Sequence, residues 1–248
     1  MKIIISPAKK MKENSDLFPA DGLPRYLNET KRLCREIQKL SLEESRELWK
    51  CNEKLARLNY KRFEKMDLEK GTTPALLAYE GLLYQHMAPV VFTREAADYV
   101  KEHLRILSGF YGVLCPFDRV MPYRLEMQAS LAVGEAKNLY EFWGNKLYQA
   151  VVDEDRVIVN LASKEYSKAI EKYLQPEDRF LTVVFGELYQ GKIRQKGTLA
   201  KMARGEMVRY MAENQVKDLE KLKDFRELGY KYWEKDSREN QWVFLSKD

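Results

Sequence analysis

Three cysteines and two histidines among 248 residues leave little material for metal or disulfide chemistry. Cys34, Cys51 and Cys115 are widely spaced, odd in number and form no CxxC pair, which argues against both a disulfide framework and a cysteine zinc site. His86 and His103 stand alone, so no metal is expected. Long apolar runs are also missing. The opening MKIIISPAKK has only three consecutive isoleucines before Ser6 and Pro7, short of a signal-peptide core, and no later run approaches a membrane span. A cytoplasmic protein with no membrane partner is the expectation. There is no GxxxxGK[ST] phosphate loop, no dinucleotide fingerprint and no Ser/His/Asp spacing, so no cofactor is expected. With no linker-like stretch, repeat or low-complexity tract, the chain reads as one ordered domain over residues 1–248.

What is present is a hydrophobic content of 45%, enough for a sizeable core, and an uneven charge distribution. The net charge of +5 is small against 43 basic and 38 acidic residues. Residues 191–211, GKIRQKGTLAKMARGEMVRYM, nevertheless hold six Lys/Arg and one acid. Such a run fits an anionic partner or a solvated basic face.

Hydrophobic spacing gives the coarse elements. Residues 2–5 suit a short buried strand ended by SPAK. Residues 25–39 and 42–66 read as two long helices, the second opened by the capping pair Ser41 and Glu44, with Leu48, Leu55 and Leu58 on its apolar face. Further helices are predicted after Pro74, from Thr93 to about His103, from Asn138 to about Val151, after Ser163, and from near Leu199 with Leu199, Met202, Ala203, Met207 and Tyr210 facing inward. RVIVNLAS reads as a strand, RFLTVVFGELYQGKIRQ as a hairpin and QWVFL as a last strand. Without a regular βαβ rhythm, the fold class is α+β, a mixed sheet surrounded by helices.

Four short constellations carry chemistry. Lys9, leaving the first strand through SPAK, can meet an anion or act as a base or nucleophile, or can be an exposed lysine after a turn. In PYRLEM, residues 122–127, an extended chain puts Arg124 and Glu126 on one face, either as a ligand-orienting pair with Glu126 as general base or as an internal ion pair. Ser163 opens a helix with Glu165 in its first turn, offering an anion site or a plain cap. In AKMARGE, residues 200–206, Lys201 and Arg204 are predicted to face away from the apolar side, and Gly205 permits close approach of another backbone or a ligand.

Taken together, ISPAK, LARLNYKRF, LSGFYGVLCPFDRVMPYRLEM, NLYEFWG, VNLASKEY and AKMARG resemble, in order and over nearly the whole chain, the YaaA family of bacterial peroxide-stress resistance proteins. The resemblance implies protection against hydrogen peroxide, linked to limiting free intracellular iron and the DNA damage it causes. It also implies an unusual single-domain architecture with a positively charged cleft, DNA binding, and a helix-hairpin-helix-like element. That element would be HLRILSGFYGVL, with Ser108, Gly109, Tyr111 and Gly112 bringing hairpin amides to a phosphate. The family typically has arginine where this chain has Cys115 and lysine where it has Met202, and both departures remove a positive charge.

Two functions follow as expectations. One is binding of double-stranded and branched DNA through its backbone, by Lys9, Ser108, Gly109, Tyr111, Gly112, Arg124, Lys201 and Arg204. The other is an enzyme for a nucleotide or nucleobase, in which Lys9, Arg124, Glu126, Ser163 and Glu165 meet around a small-molecule ligand. Two carboxylates beside a phosphate site would repel it unless paired, which sets the question for the structure.

Overall fold

The computed structural model describes residues 1–13 and 19–246. Its centre is a mixed sheet. The isoleucine-rich strand Lys2–Ile5 lies between Leu104–Ser108 and Val157–Asn160, parallel to both. Arg179–Tyr189 and Gln241–Ser246 continue the parallel run on the Val157–Asn160 side. Antiparallel strands close the two edges, Gly112–Leu114 at one and Tyr230–Tyr232 at the other, while Lys192–Arg194 folds back on the end of Arg179–Tyr189. Ile3, Ile4 and Ile5 are fully buried, as expected for a strand covered on both sides. Helices surround the sheet, giving the α+β class that the order of elements predicts.

Several helices are shorter than their periodicity. The stretch read as one helix over 42–66 is two, Leu42–Trp49 and Glu53–Glu64, because Lys50 adopts a left-handed conformation with φ of 44° and the Asn52 side chain caps the second at Leu55 N, 3.0 Å away. The break resets the helical phase. Ala56, Asn59 and Phe63 turn inward, while Leu55 and Leu58, predicted to be core, are exposed. The region 138–151 likewise divides at Gly144 into Leu139–Trp143 and Lys146–Val151. The helix after Pro74 is a single turn, Ala75–Ala78. By contrast, Ser41 and Glu44 form the reciprocal capping box, and Thr93 caps Arg94–His103.

The helix-hairpin-helix expectation is corrected. After the helix Arg94–His103 the chain enters Leu104–Ser108, turns, and returns as Gly112–Leu114, an antiparallel β-hairpin with Ser108 opposite Gly112. Two of its loop amides are already used. Those of Phe110 and Tyr111 donate to Ser108 Oγ at 3.1 and 2.9 Å, and Ser108, Phe110 and Tyr111 are fully buried. Both glycines are needed for close packing. A Cβ on Gly109 would lie 2.7 Å from Leu125 O, and one on Gly112, where φ is +75°, would strike the Trp143 ring at 2.8 Å. The hairpin therefore supports the PYRLEM backbone from beneath.

Candidate functional site

The site grows from the ends of two adjacent parallel strands. From Lys2–Ile5 the chain order runs one way to Leu104–Ser108 and the other way through Val157–Asn160, so the carboxyl ends of Lys2–Ile5 and Val157–Asn160 flank a crevice where the order diverges. Open α/β sheets bind ligands at such points. Just beyond those ends stand Ser6 and Ser163. Ser163 N donates to Ser6 Oγ at 2.8 Å and Ser6 Oγ donates to Ser163 Oγ at 3.1 Å. Ser163 opens the helix Lys164–Glu171, yet its side chain accepts no bond from that helix. The plain-cap reading of Ser163 is thus corrected: its hydroxyl turns to Ser6.

Pro7 turns the chain after Ser6, whose carbonyl accepts from Tyr84 Oη at 3.0 Å. Lys9 then projects over the crevice, with its Nζ 3.3 Å from Glu126 Oε1. Glu126 also meets Arg124, Nη2 to Oε1 at 3.1 Å, so the pair shares a face as extended alternation requires. Both side chains are about nine-tenths buried. The contacts to Glu126 Oε1 are close enough for charge pairing but poorly directed, leaving this enclosed oxygen without a hydrogen bond, and Arg124 Nε is similarly enclosed and unpartnered. Arg124 Nη2 makes a 3.4 Å bond to Trp49 O.

Beneath the carboxylate lies a phenol layer. Tyr123 Oη is 2.8 Å from Tyr79 Oη and 2.6 Å from Ser108 Oγ. Burial pushes the Tyr123 phenol up to about 12 and holds Tyr79, Tyr84 and Tyr166 well above the usual tyrosine range, so all four stay neutral. Glu165 Oε1 accepts from Gln128 N at 3.3 Å.

The roof is the helix Gly197–Glu213. A Cβ at Gly205 would lie 2.1 Å from Leu83 O, so this glycine lets the helix cross closely over Leu82–Met87, where His86 Nδ1 and Glu206 Oε1 meet at 2.8 Å. The inward face is Ala200, Ala203, Met207, Val208 and Met211, while Leu199 is exposed. The small residues rotate the helix relative to the predicted stripe. Arg204 is therefore not directed away: it is half-buried in the cleft wall, its Nε enclosed without a hydrogen-bond partner, and burial lowers its pKa from the ordinary value.

The resulting cleft, about 380 Å³, is lined by Lys9, Arg124, Glu126, Ser163, Glu165, Lys201 and Arg204 together with Ser6, Tyr84, Tyr123 and Tyr166. Ser108, Gly109, Tyr111 and Gly112 are not in its wall, and neither are Cys115 and Met202. Sequence reasoning missed Ser6, Glu80, Gly81, Tyr84 and Tyr166. Ser6 had a signal, its place beside Lys9 at a strand end. Glu80 arrives on the short strand Tyr79–Glu80 paired with Lys10–Met11, Gly81 and Tyr84 with the helix Leu82–Met87, and Tyr166 in the first turn of Lys164–Glu171. A second cavity of about 800 Å³, lined by polar groups such as Asn160, Ser167, Thr182 and Gln241, shares Ser163 and Arg204 with the first.

Half of the six cations in the basic run are ion-paired. Arg194 and Lys196 both pair with Glu187, and Arg209 pairs with Glu213. Among the described residues, Lys201 and Arg204 have no carboxylate partner, and both border the cleft. No group of three or more His, Cys, Asp or Glu positioned for a metal ion occurs among the described residues, and no helix among them is long and apolar enough to cross a membrane.

Residues 1–236 match the family described as peroxide stress protein YaaA. The chain belongs to that family. Among its relatives are UPF0246 proteins of Agathobacter rectalis, 53% identical over 100% of this chain and 99% of the relative, and of Desulfitobacterium hafniense, 52% identical over 99% and 98%. Another, from Lactiplantibacillus plantarum, is 51% identical over 99% of each chain. Family membership extends over the elements that build the cleft, from the SPAK turn to the roof helix.

Proposed function

We propose that this member of the peroxide-stress family is a cytoplasmic protein that binds double-stranded and branched DNA at its basic cleft without strong sequence preference. Lys9, Lys201 and Arg204 meet the backbone. The observation that carries this reading is the pair Lys201 and Arg204, left without carboxylates at the cleft while three other cations of the same basic run are ion-paired. Phosphates would supply the missing partners, and each one neutralised releases counterions. Bound protein would cover backbone otherwise open to iron-linked oxidation, which is where the protective effect arises. The test is fluorescence anisotropy with labelled duplex and four-way-junction DNA across a salt series. Affinity should fall steeply with salt and vary little with base sequence; a flat salt response overturns the reading.

A second reading, an enzyme for a nucleotide or nucleobase, is favoured by one observation: Lys9, Arg124, Glu126, Ser163 and Glu165, scattered in sequence, border one cleft. Hydroxyls, a lysine and carboxylates together are the material of acid–base or nucleophilic chemistry. In this reading Glu126→Gln abolishes peroxide protection in cells while the protein still binds DNA.

A further inference from the structure

Backbone binding at the rim leaves the floor of the cleft unexplained. A phosphate seated in the floor would meet two carboxylates: Glu126, already flanked by Arg124 and Lys9, and Glu165 both line it, and the buried Glu126 Oε1 is an acceptor with no directed hydrogen bond. The floor has a suitable surface for a flat ring, since Leu82, Leu125, Tyr84 and Tyr123 supply apolar and aromatic walls. Its volume of about 380 Å³ is that of a small-ligand pocket and admits no stacked duplex. Ser6 and Ser163 add hydroxyls at the same level. What fits is a planar group carrying N–H donors for the carboxylates, joined to an anion that remains beside Lys201 and Arg204. A nucleobase on its own phosphodiester has both properties.

We infer that the floor of this cleft is a pocket for a single unpaired nucleobase, with Glu126 and Glu165 accepting from its amino or ring N–H groups and Lys201 and Arg204 holding the adjoining phosphate. The inference rests on the DNA reading for the strand that delivers the base. It accounts for acids inside a DNA-binding cleft, because they face the base and not the backbone. Extruding a base costs least where it is already unpaired, so the pocket selects bulged or mismatched sites.

The test compares three duplexes of one sequence by anisotropy: fully paired, with one unpaired adenine or cytosine, and with an abasic residue at that position. The unpaired base should bind about tenfold more tightly than either control. Leu82→Trp, which fills the cleft from a half-buried wall position, should bring the three to within about twofold, and Glu126→Gln should reduce the preference. Leu82→Phe serves if the tryptophan variant does not fold. Equal binding of abasic and unpaired-base duplexes by the wild type overturns the pocket and leaves backbone binding standing. A preference that survives both substitutions overturns its placement in this cleft. If no duplex binds, the DNA reading fails, and melting with adenosine or cytidine monophosphate decides the pocket: a raised Tm supports it, and an unchanged one overturns it.

Discussion

SGFYG, residues 108–112, and AKMARG, residues 200–205, look alike in sequence: each combines glycine with groups that suit a phosphate. In the folded protein they have opposite roles. The first is buried throughout, with its amides turned onto Ser108 and its glycines pressed against Leu125 O and the Trp143 ring. The second uses its glycine to seat a helix against Leu83, and that contact brings Lys201 and Arg204 over the cleft. Glycine marks close backbone approach in both cases. What approaches, and whether a neighbouring charge remains free, depends on the elements brought opposite. The buried region should answer to packing and pH, the rim to salt.

The largest effect is expected at the buried ion pair that the hairpin supports. Arg124→Ala leaves Glu126 with Lys9 as its remaining cationic neighbour and should cost about 3–5 kcal/mol in urea unfolding. Glu126→Gln should cost much less and still lose peroxide protection in a survival assay. A Glu126→Gln protein that is stable and fully protective would make the pair purely structural. Next is Gly109→Ala, expected to lose about 1–3 kcal/mol because the added methyl meets Leu125 and Glu126 backbone. A neutral result there would show the hairpin free to move and reopen it as a contact surface.

Asp118, in the turn that follows the hairpin, sharpens the contrast through pH. Burial raises its carboxyl from 3.8 to about 6, against the opposing hydrogen bond from Cys115 N. Between those values the folded protein holds a proton that the unfolded chain has released, so this group's contribution is greatest below 3.8 and is lost as pH rises through about 6. Asp118→Asn should therefore raise stability by about 1–2 kcal/mol at pH 7.5 and have little effect at pH 4, as read by thermal melting across pH. The smallest change in stability belongs to the rim. Lys201→Ala with Arg204→Ala should alter unfolding free energy by under about 1 kcal/mol while lowering the salt slope of DNA binding by about two. Unchanged binding would reduce that helix to a solvated face.

Much of this was legible in the chain. The triple isoleucine strand, the Ser41 box, the Thr93 cap and the final strand follow from local pattern, because burial period and capping are decided within a few residues. The pairing of Arg124 with Glu126 followed from alternation. The helix breaks at Lys50 and Gly144 did not, since a left-handed residue interrupts a helix without interrupting its apolar spacing. Nor did the rotation of the roof helix, where Ala200, Ala203 and Gly205 outweigh larger neighbours because close approach favours small residues.

The residue pattern by itself determined the α+β class, the family, and a short roster of reactive side chains, all of which depend on composition, periodicity and motif order. It did not determine which of them meet. Ser6 and Ser163 are 157 positions apart and touch because their strands are adjacent and parallel. Lys9 reaches Glu126 because SPAK leaves a strand end next to PYRLEM, and Arg204 stands over them because Gly205 fits against Leu83. Those encounters are set by strand order and helix crossing, which arise from burying the whole core at once and so have no signature in any local stretch of the chain.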